Sequence, residues 1–181
     1  HKKNPCLTKS NKQSEDQDMR LLLLLLIPGL CLVSLPSPAL SWQGEVIEVP
    51  EANTLVIRAD GGEHRVRLYA IGVPEADEPF ARKARSFVSK RLLGEIVEVD
   101  RLGGENGITG MVYQRGASES INEEILRNGL GWVHDAYCEK AKLCGRLTDI
   151  EGEARRGKVN LWAKVPENKP AWRWVQEEDD M

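Results

Sequence analysis

Hydrophobic and polar positions divide the chain into two unlike parts. Residues 1–18 are polar and aperiodic, and after Met19-Arg20 comes an unbroken apolar run from Leu21 to Val33, then a small-residue stretch to Ser41. From Gly44 the pattern is that of β-strands, in short apolar runs. Val46, Ile47 and Val49 mark one strand, Leu55 to Ile57 a second and Val66 to Ile71 a third, with Asp60-Gly61-Gly62 as a hairpin turn between the second and third. After Pro79 the period becomes helical. Phe80, Ala84, Phe87, Val88 and Leu92 form one stripe, which Gly94 ends. Glu95 to Leu102 and Ile108 to Gln114 read as two further strands, and Ser120 to Asn128 as a short second helix closed by Gly129. Thr148, with Glu151 three residues on, has the spacing of a capping box and predicts a third helix from Thr148 to about Asn160. Pro166 to Trp174 is not helical in pattern. Five strands with a helix after the third is the order of an OB-fold barrel, a mainly β, α+β architecture with three helices.

The leader changes how the rest is read. A short positive start, an apolar run of this length and the ending Ala39-Leu40-Ser41 make a secretory signal peptide over residues 19–41, with cleavage before Trp42. Met19 then becomes the start and residues 1–18 a gene-model extension. An uncleaved anchor is the alternative, but the run falls short of the ~20 residues that span a bilayer, and Pro28 interrupts it. The expectation is an exported protein, periplasmic or secreted, with no stable membrane span after cleavage. Cys6 and Cys31 go with the leader. That leaves Cys138 and Cys144 as a disulfide candidate in an oxidising compartment. A two-Cys metal site would need further ligands, and His134 is the one imidazole near them.

The whole chain, 181 residues with 25 Lys+Arg and 28 Asp+Glu, has a net charge of −3, which excludes a basic nucleic-acid coat protein. The first 41 residues carry five Lys/Arg and three Asp/Glu, so without them the charge is −5. Four of those negatives lie in the tail Glu177-Glu178-Asp179-Asp180, within an acidic end at 175–181. Arg82, Lys83, Arg85, Lys90 and Arg91 read as the solvated face of the first helix, and Trp132, Trp162, Trp172 and Trp174 as packing residues.

The segment RLYAIGVPE, Arg67 to Glu75, resembles the R-L-x-x-I-D-x-P-E signature of the staphylococcal nuclease (thermonuclease) family. EANTLVI at 51–57 resembles that family's D-G-D-T-L-x-V turn, and INEEILRNGLGWV at 121–133 its V-N-x-x-L segment. EARRGKVNLW at 153–162 and PAWRW at 170–174 are similar to the endings of exported members. The resemblance covers about Gly44 to Trp174, so the domain is expected over 42–174. It implies Ca²⁺-dependent hydrolysis of phosphodiester bonds in DNA and RNA. In that chemistry a hard cation held by carboxylates polarises the phosphate, a Glu activates water, and two Arg side chains bind the phosphate.

Carried over residue by residue, the phosphate-binding Arg falls on Arg67 and the general base on Glu75. The two metal carboxylates fall on Asn53 and Gly72, the position lending a backbone carbonyl on Val73, and the second Arg on Ile108. Both metal carboxylates and one Arg are thus replaced. No metal ligand is assigned with security; Asn53 and the Val73 carbonyl remain as weak candidates, and Ca²⁺ binding is expected to collapse. Asp77 and Glu78 are conceivable substitute ligands, and Arg101 or Arg115 conceivable phosphate contacts. The expected function is a monomeric, non-catalytic module binding DNA, RNA or another anionic ligand, with a protein partner as a further option. The alternative is a weakly active or metal-shifted nuclease using Glu75 and Arg67.

Overall fold

The computed structural model describes residues 41–164 except 77, 79, 105 and 106. The signal-peptide and extension assignments up to residue 40, Cys6, Cys31, Asp77, Trp172, Trp174 and the acidic tail lie outside the described residues.

Five strands close into a barrel in the order β1-β2-β3-β6-β5, the five-stranded OB-fold arrangement. They are β1 (Ser41–Glu51), β2 (Thr54–Ala59), β3 (Gly62–Leu68), β5 (Ile96–Gly103) and β6 (Ile108–Gln114). Register shifts between Val46 and Glu51 bend β1, so that its first half pairs with β5 and its second with β2. β2 and β3 meet through the Asp60-Gly61 turn, where both residues have positive φ (50° and 76°), as a two-residue hairpin of this hand requires. The β3–β6 pair is parallel, with Val66, Arg67 and Leu68 opposite Ile108, Thr109 and Gly110.

The third strand ends at Leu68 rather than Ile71. Ala70 takes a left-handed φ of 55°, which breaks the strand. Ile71–Gly72 (β4) then pairs separately with Trp132–Val133 (β7), a ribbon too short for any periodicity to announce.

The barrel interior is aliphatic, with Val46, Leu55, Ile57, Val66, Leu68, Val97 and Val99 all buried. Helix α1 (Ala81–Leu92) adds Ala84, Val88 and Leu92, while α2 (Ile121–Arg127) adds Ile121, Ile125 and Leu126. Phe80 leaves the α1 stripe and packs instead on a second cluster of Trp132, Ala154, Leu161 and Trp162. The Arg82, Lys83 and Arg85 face of α1 is exposed.

The third helix, α3 (Ala141–Arg156), starts seven residues before Thr148. The capping-box reading is therefore corrected: Glu151 lies inside the helix and accepts a hydrogen bond from the Val133 amide at 2.7 Å. The reciprocal capping box belongs to Ser120 and Glu123 at the start of α2. No side chain caps α3 from within the helix. The hydroxyl of Tyr69 accepts hydrogen bonds from the Glu139 and Lys140 amides at 2.7 and 2.8 Å. One helical turn on, Cys144 is joined to Cys138 with Cα atoms 5.7 Å apart. A hydroxyl some 70 residues away and a covalent loop thus start a helix that has no local start signal. Removal of that hydroxyl leaves two amides without their acceptor, so Tyr69→Phe is expected to cost about 1–3 kcal/mol. Urea unfolding of the oxidised protein measures this, and an unchanged midpoint would show that the hydroxyl does not carry the helix start.

Candidate phosphate-binding site

Arg67 lies on the outer face of β3, exposed, on a ridge between two hollows. The larger, about 1130 Å³, is lined by Asn53, Arg67, Gly72, Val73 and Glu75 together with Trp132 and Glu151. The smaller, about 620 Å³, is lined by Arg65, Arg67, Ile108, Thr109 and Tyr137. The fold therefore brings every residue of the expected site to one end of β3, with Ile108 on the far side of Arg67 from the others.

Arg67 forms no ion pair among the described residues. Its guanidinium carbon sits 5.7 Å from the centre of the Tyr137 ring, which in turn lies 4.5 Å from the His134 ring. Glu75 is exposed on the loop after β4, and its amide donates to the Glu78 carboxylate. Glu78 thus closes its own turn. Arg115 stands at the opposite end of β6 from Ile108, about 23 Å away along the strand, and Arg101 donates to the Gly104 carbonyl at 3.4 Å. Neither lines either hollow.

The two positions that the resemblance assigns to metal carboxylates both make structural contacts. Asn53 is buried, its Nδ2 donates to the Ile71 carbonyl at 3.0 Å, and its Oδ1 accepts from the Thr54 hydroxyl at 3.1 Å. A carboxylate at 53 would set a negative oxygen against the Ile71 carbonyl; the amide supplies a donor there instead. At Gly72 the Trp132 indole occupies the space of a side chain: a Cβ would lie 2.3 Å from Nε1 and 2.6 Å from Cε2. Gly131 allows the same close approach from the other strand, since a Cβ there would lie 2.5 Å from the Gly72 carbonyl oxygen. Trp132 is 8% exposed, and its Nε1–H has no hydrogen-bond partner among the described residues. Among the described residues, no group of three or more His, Cys, Asp or Glu is placed to hold a metal ion. The described residues do not fit Ca²⁺.

Trp132, read from sequence only as a packing residue, fills the metal-carboxylate position. Nothing in a single sequence links it to Gly72, 60 residues earlier. Glu151 also enters the larger hollow. Burial pushes its carboxyl above the usual range, against the Val133 hydrogen bond and the Arg155 charge, which pull it down, while Asp135 adds to the rise.

A closed five-stranded barrel with an exposed Arg on β3 and a Pro-Glu loop beside it defines an OB-fold domain of the staphylococcal nuclease type. The chain belongs to that family: residues 65–164 match the family described as "Staphylococcal nuclease homologue". It is similar to a micrococcal nuclease of Shigella flexneri, 28% identical over 152 residues covering 79% of this chain and 85% of that one. Staphylococcal-like nuclease CAN1 of Arabidopsis thaliana is 33% identical over 115 residues, 61% of this chain. An uncharacterised 38.1 kDa protein of Capnoides sempervirens is 33% identical over 117 residues, 62% of this chain. The matched region spans about a third (32%) of each of the latter two proteins.

Two predictions follow from this geometry. Gly72→Asp drives a side chain into the Trp132 indole and is expected to destabilise by about 2 kcal/mol without creating a Ca²⁺ site. Thermal unfolding with and without millimolar Ca²⁺ tests it, and a Ca²⁺-dependent rise in the single variant's Tm would show that the indole does not block the position. The raised Glu151 carboxyl binds its proton more tightly folded than unfolded. Its contribution is therefore favourable below the unfolded pKa and is lost as pH rises through the folded one. Glu151→Gln keeps the acceptor for Val133, so relative to wild type it should gain stability between pH 4 and pH 7. An unchanged difference across that range would rule out the buried charge.

Proposed function

We propose that this protein is a non-catalytic nucleic-acid-binding member of its family, exported, that engages the phosphate backbone without a metal. The observation that carries the reading is the Trp132 indole in the side-chain space at Gly72, where the resemblance places a metal carboxylate, while Arg67 nearby is exposed with no ion pair among the described residues. With Asn53 committed to the Ile71 carbonyl, the hollow offers a dication no carboxylate at either family position. Losing one charge-stabilising group typically costs ~10²–10³ in rate, and here an Arg and both metal carboxylates are replaced. The unpaired guanidinium keeps its fork of donors for phosphate.

Export is supported by the leader pattern and by a disulfide that holds the start of α3. Among the described residues no helix is long and apolar enough to cross a membrane. A second reading, residual hydrolysis by Glu75 with Arg67, draws on their lining one hollow, with no ion pair to either among the described residues.

Incubation of the purified protein with single-stranded DNA, in EDTA and in millimolar Ca²⁺, separates these readings. Salt-sensitive binding of equal strength in both, with intact DNA, is expected. Metal-dependent cleavage abolished by Glu75→Gln would establish the second reading instead. Absence of both binding and cleavage would leave a protein-binding or structural role.

A further inference from the structure

The family pattern places its second phosphate-binding Arg at position 108, which is Ile here. We infer that Arg65 supplies the second guanidinium, so that Arg65 and Arg67 hold neighbouring phosphates of a single-stranded nucleic acid laid along β3. This rests on the metal-free binding proposed above.

Alternation along β3 points Val66 and Leu68 into the core and Glu63, Arg65 and Arg67 outward. Glu63 pairs with Arg58 at 3.4 Å, across the ladder from it. Arg65 has no hydrogen bond or ion pair among the described residues. Neither cation on this strand face forms an ion pair among the described residues, and Glu51 is the one carboxylate that lines the hollow they share. Their Cα atoms are two residues apart, about 6.8 Å along an extended strand, a repeat close to that of successive phosphates in an extended single strand.

The ground beside them is open. Arg65, Arg67, Ile108 and Thr109 line the same hollow, so a guanidinium from β3 reaches the space that one from position 108 would have served. On β6, Thr109 faces Arg67 in the parallel register, and it follows Gly107 and Ile108. These are short or apolar side chains that neither pair with the two cations nor fill the hollow. A polyanion with regularly spaced charges is the ligand this face fits.

Fluorescence anisotropy of labelled oligo(dT) with the full chain, in EDTA and over a salt series, tests the assignment. Arg65→Gln is expected to weaken binding about tenfold and to reduce the log–log salt slope by about 0.7, one single-strand phosphate contact. Arg65→Lys should restore the slope, because it returns the charge. Arg58→Gln, which removes a cation already paired on the neighbouring strand, should leave both unchanged. Ile108→Arg placed in the Arg65→Gln background should recover affinity if both positions serve one hollow. Wild-type binding with Arg65→Gln indistinguishable from it would overturn the role of Arg65 while leaving the metal-free binding intact. Failure of the wild type to bind at all would overturn both.

Discussion

The buried amide of Asn122 is the constraint on which the working end of this barrel depends. It sits in α2 with no exposure, accepts from the Val112 amide at 3.1 Å, and donates to the Tyr69 and Gly110 carbonyls at 3.2 and 3.3 Å. Those three backbone groups belong to β6 and to the residue where β3 has just ended. The Gly110 carbonyl also accepts from the Tyr69 amide at 2.9 Å, but a buried group left unpaired in an aliphatic core costs about 1–3 kcal/mol. Satisfying them with one side chain fixes the bend at Tyr69-Ala70. That bend ends the outward run of β3 after Arg67 and sends the chain into β4, the Trp132 contact and the Pro-Glu loop.

Tyr69 extends the same point of control in the other direction. Its carbonyl belongs to Asn122 and its hydroxyl to the start of α3 and the disulfide loop. The segment between β7 and α3 carries Tyr137, against which Arg67 rests. The outer face of β3 is thus positioned from both sides by buried polar contacts, while its own cations are left without carboxylate partners. The rigid part of the site is its polar core; the ligand-facing part is exposed charge.

Much of this was legible in the chain. Period-two alternation is plain in β3 and β5, where one face is buried and the other solvated, and the Asp60-Gly61 turn announces its hairpin. The positions around Arg67 are adjacent in sequence, so a motif locates them. What escaped depends on partners far apart. Thr148 and Glu151 carry a local capping pattern, yet the Glu is drawn to Val133 and the helix starts earlier on the Tyr69 hydroxyl, just past the end of β3. The Gly72–Trp132 contact arises from a ribbon of two residues a side, too short for a periodic signal. Arg65 was visible as an outward residue on β3, but the family pattern directs attention to position 108, where the guanidinium is missing.

The placement of charge shows how such a groove would attract phosphate in the metal-free binding proposed above. In the arrangement the resemblance implies, two carboxylates cancel a Ca²⁺ ion and two Arg side chains remain to face the substrate. Here both carboxylate positions are neutral, no described cluster fits a metal, and Arg65 and Arg67 are the cations on the face, with Glu75 the same in both cases. What differs is where the field is focused. A bound dication concentrates positive charge on one phosphate oxygen and lowers the barrier to attack there, whereas two guanidiniums on a strand spread it over successive phosphates. The first distribution serves catalysis and the second serves retention. Under the metal-free binding proposed above, an indole in the side-chain space at Gly72 would convert one into the other while leaving the barrel that carries it in place.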